Sequence, residues 1–139
     1  MTQQEKEALL SLLCTPARWC QGMEASDAAG ESVPYDDAGA VAWDLTGGLC
    51  FLFGWERATE LFPELEPHIT GRTPGPGDEK AAIPSMTALQ DFNDRPGTTH
   101  DALLARIQTL PVLGGLAPGI ASPAGRGPTV KELNNVQSN

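Results

Sequence analysis

Asp36-Asp37-Ala38-Gly39-Ala40-Val41-Ala42-Trp43-Asp44-Leu45-Thr46-Gly47-Gly48-Leu49-Cys50-Phe51-Leu52-Phe53-Gly54 is the stretch on which the fold turns. Val41, Leu45, Leu49 and Leu52 recur at spacings of four, four and three, the period of one helical face. Asp36-Asp37 offers an N-cap and a negative charge at the positive end of the helix dipole. The stretch therefore predicts a helix over 37–53, apolar around most of its circumference and so central in the fold, with Gly54 ending it. Glycine inside a helix costs about 1 kcal/mol relative to alanine. Gly47 and Gly48 in succession predict close approach of a second backbone, or a need for space.

Upstream, Thr2-Gln3-Gln4-Glu5 is a capping box. Leu9, Leu10, Leu12 and Leu13 follow as one apolar stripe, giving a helix over 3–13. Thr15-Pro16 starts a short turn carrying Arg18 and Trp19 and ending by Gly22, with Trp19 expected to be a packing residue. Asp27-Ala28-Ala29-Gly30 is a turn, and the short pieces 20–26 and 31–33 on either side predict a hairpin within about 20–33.

Downstream, residues 55–62 read as another short helix stopped by Pro63, and 67–77 as a loop by composition. Ala82, Met86 and Leu89 restore helical period over 79–94, with Pro84 in the first turn. Asn93-Asp94-Arg95-Pro96-Gly97 breaks the chain. Thr98-Thr99-His100-Asp101 restarts it with a cap, and Leu103, Leu104, Ile107 and Leu110 form the last buried stripe. Nine of the eighteen residues 111–128 are Gly or Pro, too many for a helix of any length. The expected fold is mainly α: a compact bundle of about five helices over 1–110 with a short β-hairpin, then a flexible tail over 111–139 with at most a transient turn at 129–136.

The length of 139 residues is that of one domain, and 40% hydrophobic with 19% charged residues excludes wholesale disorder. Eighteen acidic and nine basic residues leave a net charge of −9, and residues 1–110 hold seventeen of those acids and seven of the bases. Such a surface repels phosphate backbones and anionic membranes, so neither direct nucleic-acid binding nor membrane association is expected. It suits a protein partner with a basic surface, including a basic groove that normally holds nucleic acid. Three cysteines without a CxxC pair, and only two histidines, fit a reduced, cytoplasmic setting and no metal centre. The first residues are polar and of mixed charge, unlike a signal peptide. No apolar run approaches the roughly 20 residues of a membrane helix.

Trp19-Cys20-Gln21-Gly22, Asp27-Ala28-Ala29-Gly30, Ala40-Val41-Ala42-Trp43-Asp44-Leu45-Thr46-Gly47-Gly48-Leu49, Phe92-Asn93-Asp94 and the final leucine-rich helix, in that order, carry a resemblance. The chain resembles a small domain family of unknown function from bacterial and phage genomes, over roughly residues 3–110. The usual middle motif of that family is W-C-x-x-G-A-L; Asp44 stands where a cysteine is common and Gly48 where alanine is. The resemblance implies no chemistry, and the aspartate at position 44 argues against a shared nucleophilic cysteine.

The most chemical constellation is Cys20, or Cys50, with His100 and Asp94 or Asp101 as a thiol hydrolase or transferase, which requires thiol, imidazole and orienting group to meet. The apolar run around Cys50 makes it a core residue. His100, just inside a helix start, is either a proton donor or a solvated first-turn residue, and His68 is a loop residue. Asn93 and Asp94 close turns readily, and the same groups could also hold a metal or a sugar. Asp36, Asp37 and Asp44 form a second acidic cluster, with Asp37 and Asp44 two turns apart on one helical face. Phosphate-loop, dinucleotide, zinc-protease and serine-hydrolase motifs are all missing, and no cofactor is expected. The sequence thus favours an acidic protein-interaction module without evident catalysis, such as a phage or mobile-element inhibitor of the anti-CRISPR kind acting on a basic nucleoprotein. The binding residues would be Asp36, Asp37, Asp44, Asn93 and Asp94. The alternatives are the cysteine/histidine-dependent hydrolase or transferase, and a ligand- or metal-binding helical domain.

Overall fold

A capping box opens the first helix, α1 (Gln3–Leu12): Thr2 Oγ1 accepts from the Glu5 amide at 3.0 Å, and Glu5 Oε1 accepts from the Thr2 amide at 2.9 Å. The computed structural model describes residues 1–72 and 82–112. A 3-10 turn, Pro16–Arg18, leads into strands β1 (Ala25–Asp27), β2 (Ser32–Val33) and β3 (Ala40–Trp43). Helices α2 (Leu45–Thr70), α3 (Ala82–Asp94) and α4 (His100–Gln108) follow. The fold is mainly helical with one small antiparallel sheet, ordered β2-β1-β3.

The expected hairpin is present. Asp27 Oδ1 accepts from the amides of Ala29 and Glu31, both at 2.9 Å, and Gly30 takes the left-handed φ of 82° that closes the turn. The third strand was not foreseen. Residues 40–43 pair with β1, Ala25 opposite Trp43 and Ser26 opposite Ala42, with a bulge between Ser26 and Asp27. The helix expected over 37–53 therefore starts only at Leu45, with Asp44 as its N-cap. The alternation of small, β-branched and aromatic residues at 40–43 suits a short strand beside β1. Its agreement with helical spacing is coincidental, since Val41 is 46% exposed. Asp36 and Asp37 cap no helix. They lie exposed in a turn in which Asp37 Oδ2 accepts from the Gly39 amide at 2.9 Å.

Among the described residues there are four helices, not five, because the two expected on either side of Gly54 run on as α2 across a kink at that glycine. Gly54 bends it with φ 85° and ψ 160°, and no helical residue with a side chain adopts that conformation easily. Pro63 does not stop the helix, and residues 67–70, expected in a loop, are its last turn before Gly71. Leu61, Phe62, Leu65 and Ile69 explain this: all four are fully buried on one face. Each contributes about 1.5–3 kcal/mol on burial, against about 3 kcal/mol for an interior proline. They join Leu9 and Leu13 of the first segment, Leu45 and Leu49 of early α2, Leu89 of α3, and Leu103 and Ile107 of α4 in one core. Among the described residues no helix is long and apolar enough to cross a membrane. The tail expected over 111–139 lies beyond Val112 outside the described residues, as do 73–77 of the expected loop and 79–81 of the expected helix.

Candidate functional site

Asn93, in the last turn of α3, is completely buried. A carboxamide brings two N–H donors and two acceptor lone pairs, and burial makes each expensive to leave unmet. All four are used. Oδ1 accepts from Trp19 Nε1 at 2.7 Å and from the Leu45 amide at 3.0 Å. Nδ2 donates to the Cys20 carbonyl at 3.0 Å and to Asp94 Oδ1 at 2.9 Å. Asp94 Oδ1 also accepts from the Gly22 amide at 2.8 Å, across a left-handed turn that Gly22 makes with φ 79°. Gln21 Nε2 reaches the carbonyls of Asn93 (2.8 Å), Arg95 (3.2 Å) and Thr98 (3.3 Å), so its two hydrogens are shared among three acceptors of the α3–α4 corner. Phe92, beside Asn93, is in the core with the guanidinium groups of Arg95 and Arg106 at 5.8 and 5.6 Å from its ring centre.

The start of α2 is the third part of this knot. Asp44 Oδ1 accepts from the Gly47 amide at 2.6 Å and from Thr46 Oγ1 at 3.1 Å, while the Asp44 amide donates to the Glu24 carbonyl at 3.1 Å. A Cβ on Gly47 would stand 2.1 Å from that same Glu24 oxygen, and one on Gly48 would stand 3.3 Å from Leu12 Cδ2. The paired glycines thus admit a second backbone and a neighbouring helix, as their placement predicts. Burial pushes the Asp44 carboxyl up, its bonds from Gly47 and Thr46 pull it down, and the charges of Asp94 and Glu24 push it further, leaving it at about 7. Asp37 and Asp44 do not share a helical face: one is exposed in a turn, the other is a buried cap.

The thiol and imidazole considered from the sequence are each bonded to a backbone carbonyl. Cys20 Sγ donates to the Met23 carbonyl at 3.5 Å. Burial, and then the negative charges of Asp44 and Asp94, push that thiol up to about 12, the direction opposite to activation. His100 is half-buried, its Nε2 lies 2.6 Å from the Leu13 carbonyl and its ring centre is 5.9 Å from that of Trp19. A carbonyl only accepts, so Nε2 carries the hydrogen and the imidazole satisfies the end of α1. Cys50 is buried in the core, where burial raises its thiol to about 11. Asp101 is exposed in the first turn of α4. Among the described residues no three His, Cys, Asp or Glu side chains converge as a metal site.

Sequence reasoning placed Asn93 and Asp94 at a corner but missed their partners. The Trp19 indole, the Gln21 amide and the Gly22 turn are held against them from seventy and more residues away. The signal was the order of Trp-Cys-Gln-Gly, Trp-Asp-Leu and Phe-Asn-Asp along the chain, the motifs that carry the family resemblance, which does not say how the segments meet.

These contacts define a mainly helical domain in which one buried asparagine ties together three distant chain segments. The sequence profile of a family of unknown function, DUF6197, matches residues 7–110, a span that includes all three segments, and the chain belongs to that family. No curated protein and no solved structure matches the chain.

Proposed function

We propose that the protein acts as a non-catalytic interaction module that presents an acidic exterior to a protein with a basic surface. The observation that carries this reading is the division of labour among its polar groups. Asn93, Asp94, Asp44, Gln21 and His100 are bonded to the protein itself. Glu24, Glu31, Asp36 and Asp37 are exposed and, among the described residues, in no ion pair. Charge of one sign held on a rigid surface speeds encounter with an oppositely charged partner and makes the association sensitive to salt. In its sharper form, the reading is of an accessory inhibitor from a phage or mobile element that occupies the basic groove of a nucleoprotein. Of the residues proposed for binding, Asp36 and Asp37 remain available to a partner, while Asp44, Asn93 and Asp94 act by holding the surface in shape.

Affinity capture from cells carrying the gene, at 50 and 300 mM salt (Debye lengths of roughly 14 and 6 Å), tests this. The expected result is a basic protein held at the lower salt only, and released when Asp36→Asn and Asp37→Asn are combined. Binding that is insensitive to salt and to those substitutions would refute it.

A further inference from the structure

The acidic turn at 34–39 borders an apolar surface that the core does not use. Phe51, on the first half of α2, is 45% exposed, yet its ring stacks on Trp43 at 4.5 Å between centroids and 25° between planes. Val41, two positions before Trp43 on β3, is 46% exposed. Phe51 therefore covers a tryptophan that is itself buried, and Val41 stands on the same face of β3 as that tryptophan, since side chains two apart on a strand share a face. This apolar surface is tied directly to the acidic groups. Trp43 Nε1 donates to the Tyr35 carbonyl at 2.9 Å, and the Tyr35 amide donates to Glu24 Oε2 at 2.7 Å. Asp36 and Asp37 follow Tyr35 in the chain. The Tyr35 phenol is pushed up by desolvation and then by the charges of Cys50, Asp36 and Glu24.

Resting on the interaction reading above, we infer that Val41 and Phe51 on Trp43, rimmed by Glu24, Asp36 and Asp37, form the docking surface for an amphipathic segment of a partner protein that carries leucine-like side chains between lysines or arginines. Charge complementarity selects this occupant. A second copy of the chain would bring the same three carboxylates against the rim, and like charges brought together at an interface oppose association. A purely polar basic segment would leave Phe51 and Val41 wet. An amphipathic basic segment places apolar atoms on the ring and cations on the rim, the arrangement of an interface with an apolar centre and a polar edge.

The test uses the full chain and two synthetic peptides of equal charge, one of lysine and leucine, the other of lysine and serine, with affinity read by tryptophan fluorescence and by calorimetry. The lysine/leucine peptide should bind at least about tenfold tighter than the lysine/serine peptide, because burying one aromatic side chain is worth a factor of that order or more. Phe51→Ser, and independently Val41→Ser should the first variant fold poorly, should remove most of that advantage. Combining Asp36→Asn with Asp37→Asn should weaken the lysine/leucine peptide and flatten its salt dependence. Equal affinity for the two peptides, or unchanged binding by both apolar variants, overturns this surface while leaving the acidic-module reading standing. Salt-independent binding of both peptides refutes that broader reading as well. A dimer of the full chain in sedimentation that Phe51→Ser dissociates would assign the surface to a second copy and overturn the inference.

Discussion

Replacing Asn93 with alanine should be among the most damaging single changes possible in this protein. The substitution removes an acceptor from the Leu45 amide and from the Trp19 indole, and a donor from the Cys20 carbonyl. A buried polar group left without its partner costs about 1–3 kcal/mol. Trp19 and Cys20 are half-buried and can recover some water, so the Leu45 amide, in a fully buried residue, bears the largest share of the loss. The expected total is on the order of 3–6 kcal/mol, a large part of the roughly 5–15 kcal/mol that holds an ordinary domain folded. Asn93→Asp has the same shape and keeps the Oδ1 contacts, but turns an oxygen toward the Cys20 carbonyl and Asp94 Oδ1, which are both acceptors. At neutral pH it should cost at least as much as alanine. Urea unfolding followed by tryptophan fluorescence measures both, with the denaturant slope checking that the two-state comparison holds. A loss below about 1 kcal/mol for either variant would refute the view that the knot is structural, because a loss so small is what an exposed, dispensable side chain gives.

Asp44 and Gly47 supply two further expectations. Because the folded Asp44 carboxyl titrates near 7, above its ordinary value of 3.8, the native state holds a proton that the unfolded chain has already released between those values. Its contribution to stability is therefore full below about 4, falls as pH rises to about 7 and is absent above, by on the order of 4 kcal/mol at most. Asparagine caps a helix as well as aspartate does. Asp44→Asn should accordingly gain on the wild type as pH is raised from 5 to 8, and a difference in melting free energy that stays flat over that range would contradict the burial argument. Gly47→Ala places a methyl where the Glu24 carbonyl already stands, so it should lose more than about 4 kcal/mol or fail to fold. Gly54→Ala meets open space and only the backbone strain of φ 85° with ψ 160°, a region almost confined to glycine, about 1–3 kcal/mol; equal melting temperatures for the two variants would overturn that distinction.

Local signals were legible where a few neighbouring residues decide the outcome. The Thr2–Glu5 capping box, the Asp27–Gly30 turn and the Thr99 cap, which accepts from the Ala102 amide at 3.1 Å, depend on contacts two to four residues apart. The Gly47-Gly48 pair announced a close approach, although not that Glu24 and Leu12 were the neighbours. What escaped was decided at long range. Residues 40–43 fit the helical period as well as a strand, and only the proximity of β1 distinguishes the two. Pro63 reads as a stop in any local window, yet the four buried side chains from Leu61 to Ile69 carry the helix through it. The candidate site follows the same division. Asn93 and Asp94 were visible as a corner, but their use depends on Trp19, Gln21 and Gly22, whose side chains and amides carry no mark of that task. Asp44 was assigned to a helical face because the start of α2 was misplaced by eight residues, and moving that start makes it a cap.

Around Asn93 the polar groups of the three segments are committed to one another. Hydrogen exchange of the Leu45 amide and the Trp19 indole, followed by NMR in the full chain, measures that commitment at the two donors that share Asn93 Oδ1. The expected result is that the Leu45 amide exchanges only with global unfolding, that the Trp19 indole is slowed with it, and that Asn93→Ala releases both. Exchange of both protons at the rates of a solvated chain, in a protein that is otherwise folded, would show that the knot does not hold the segments together.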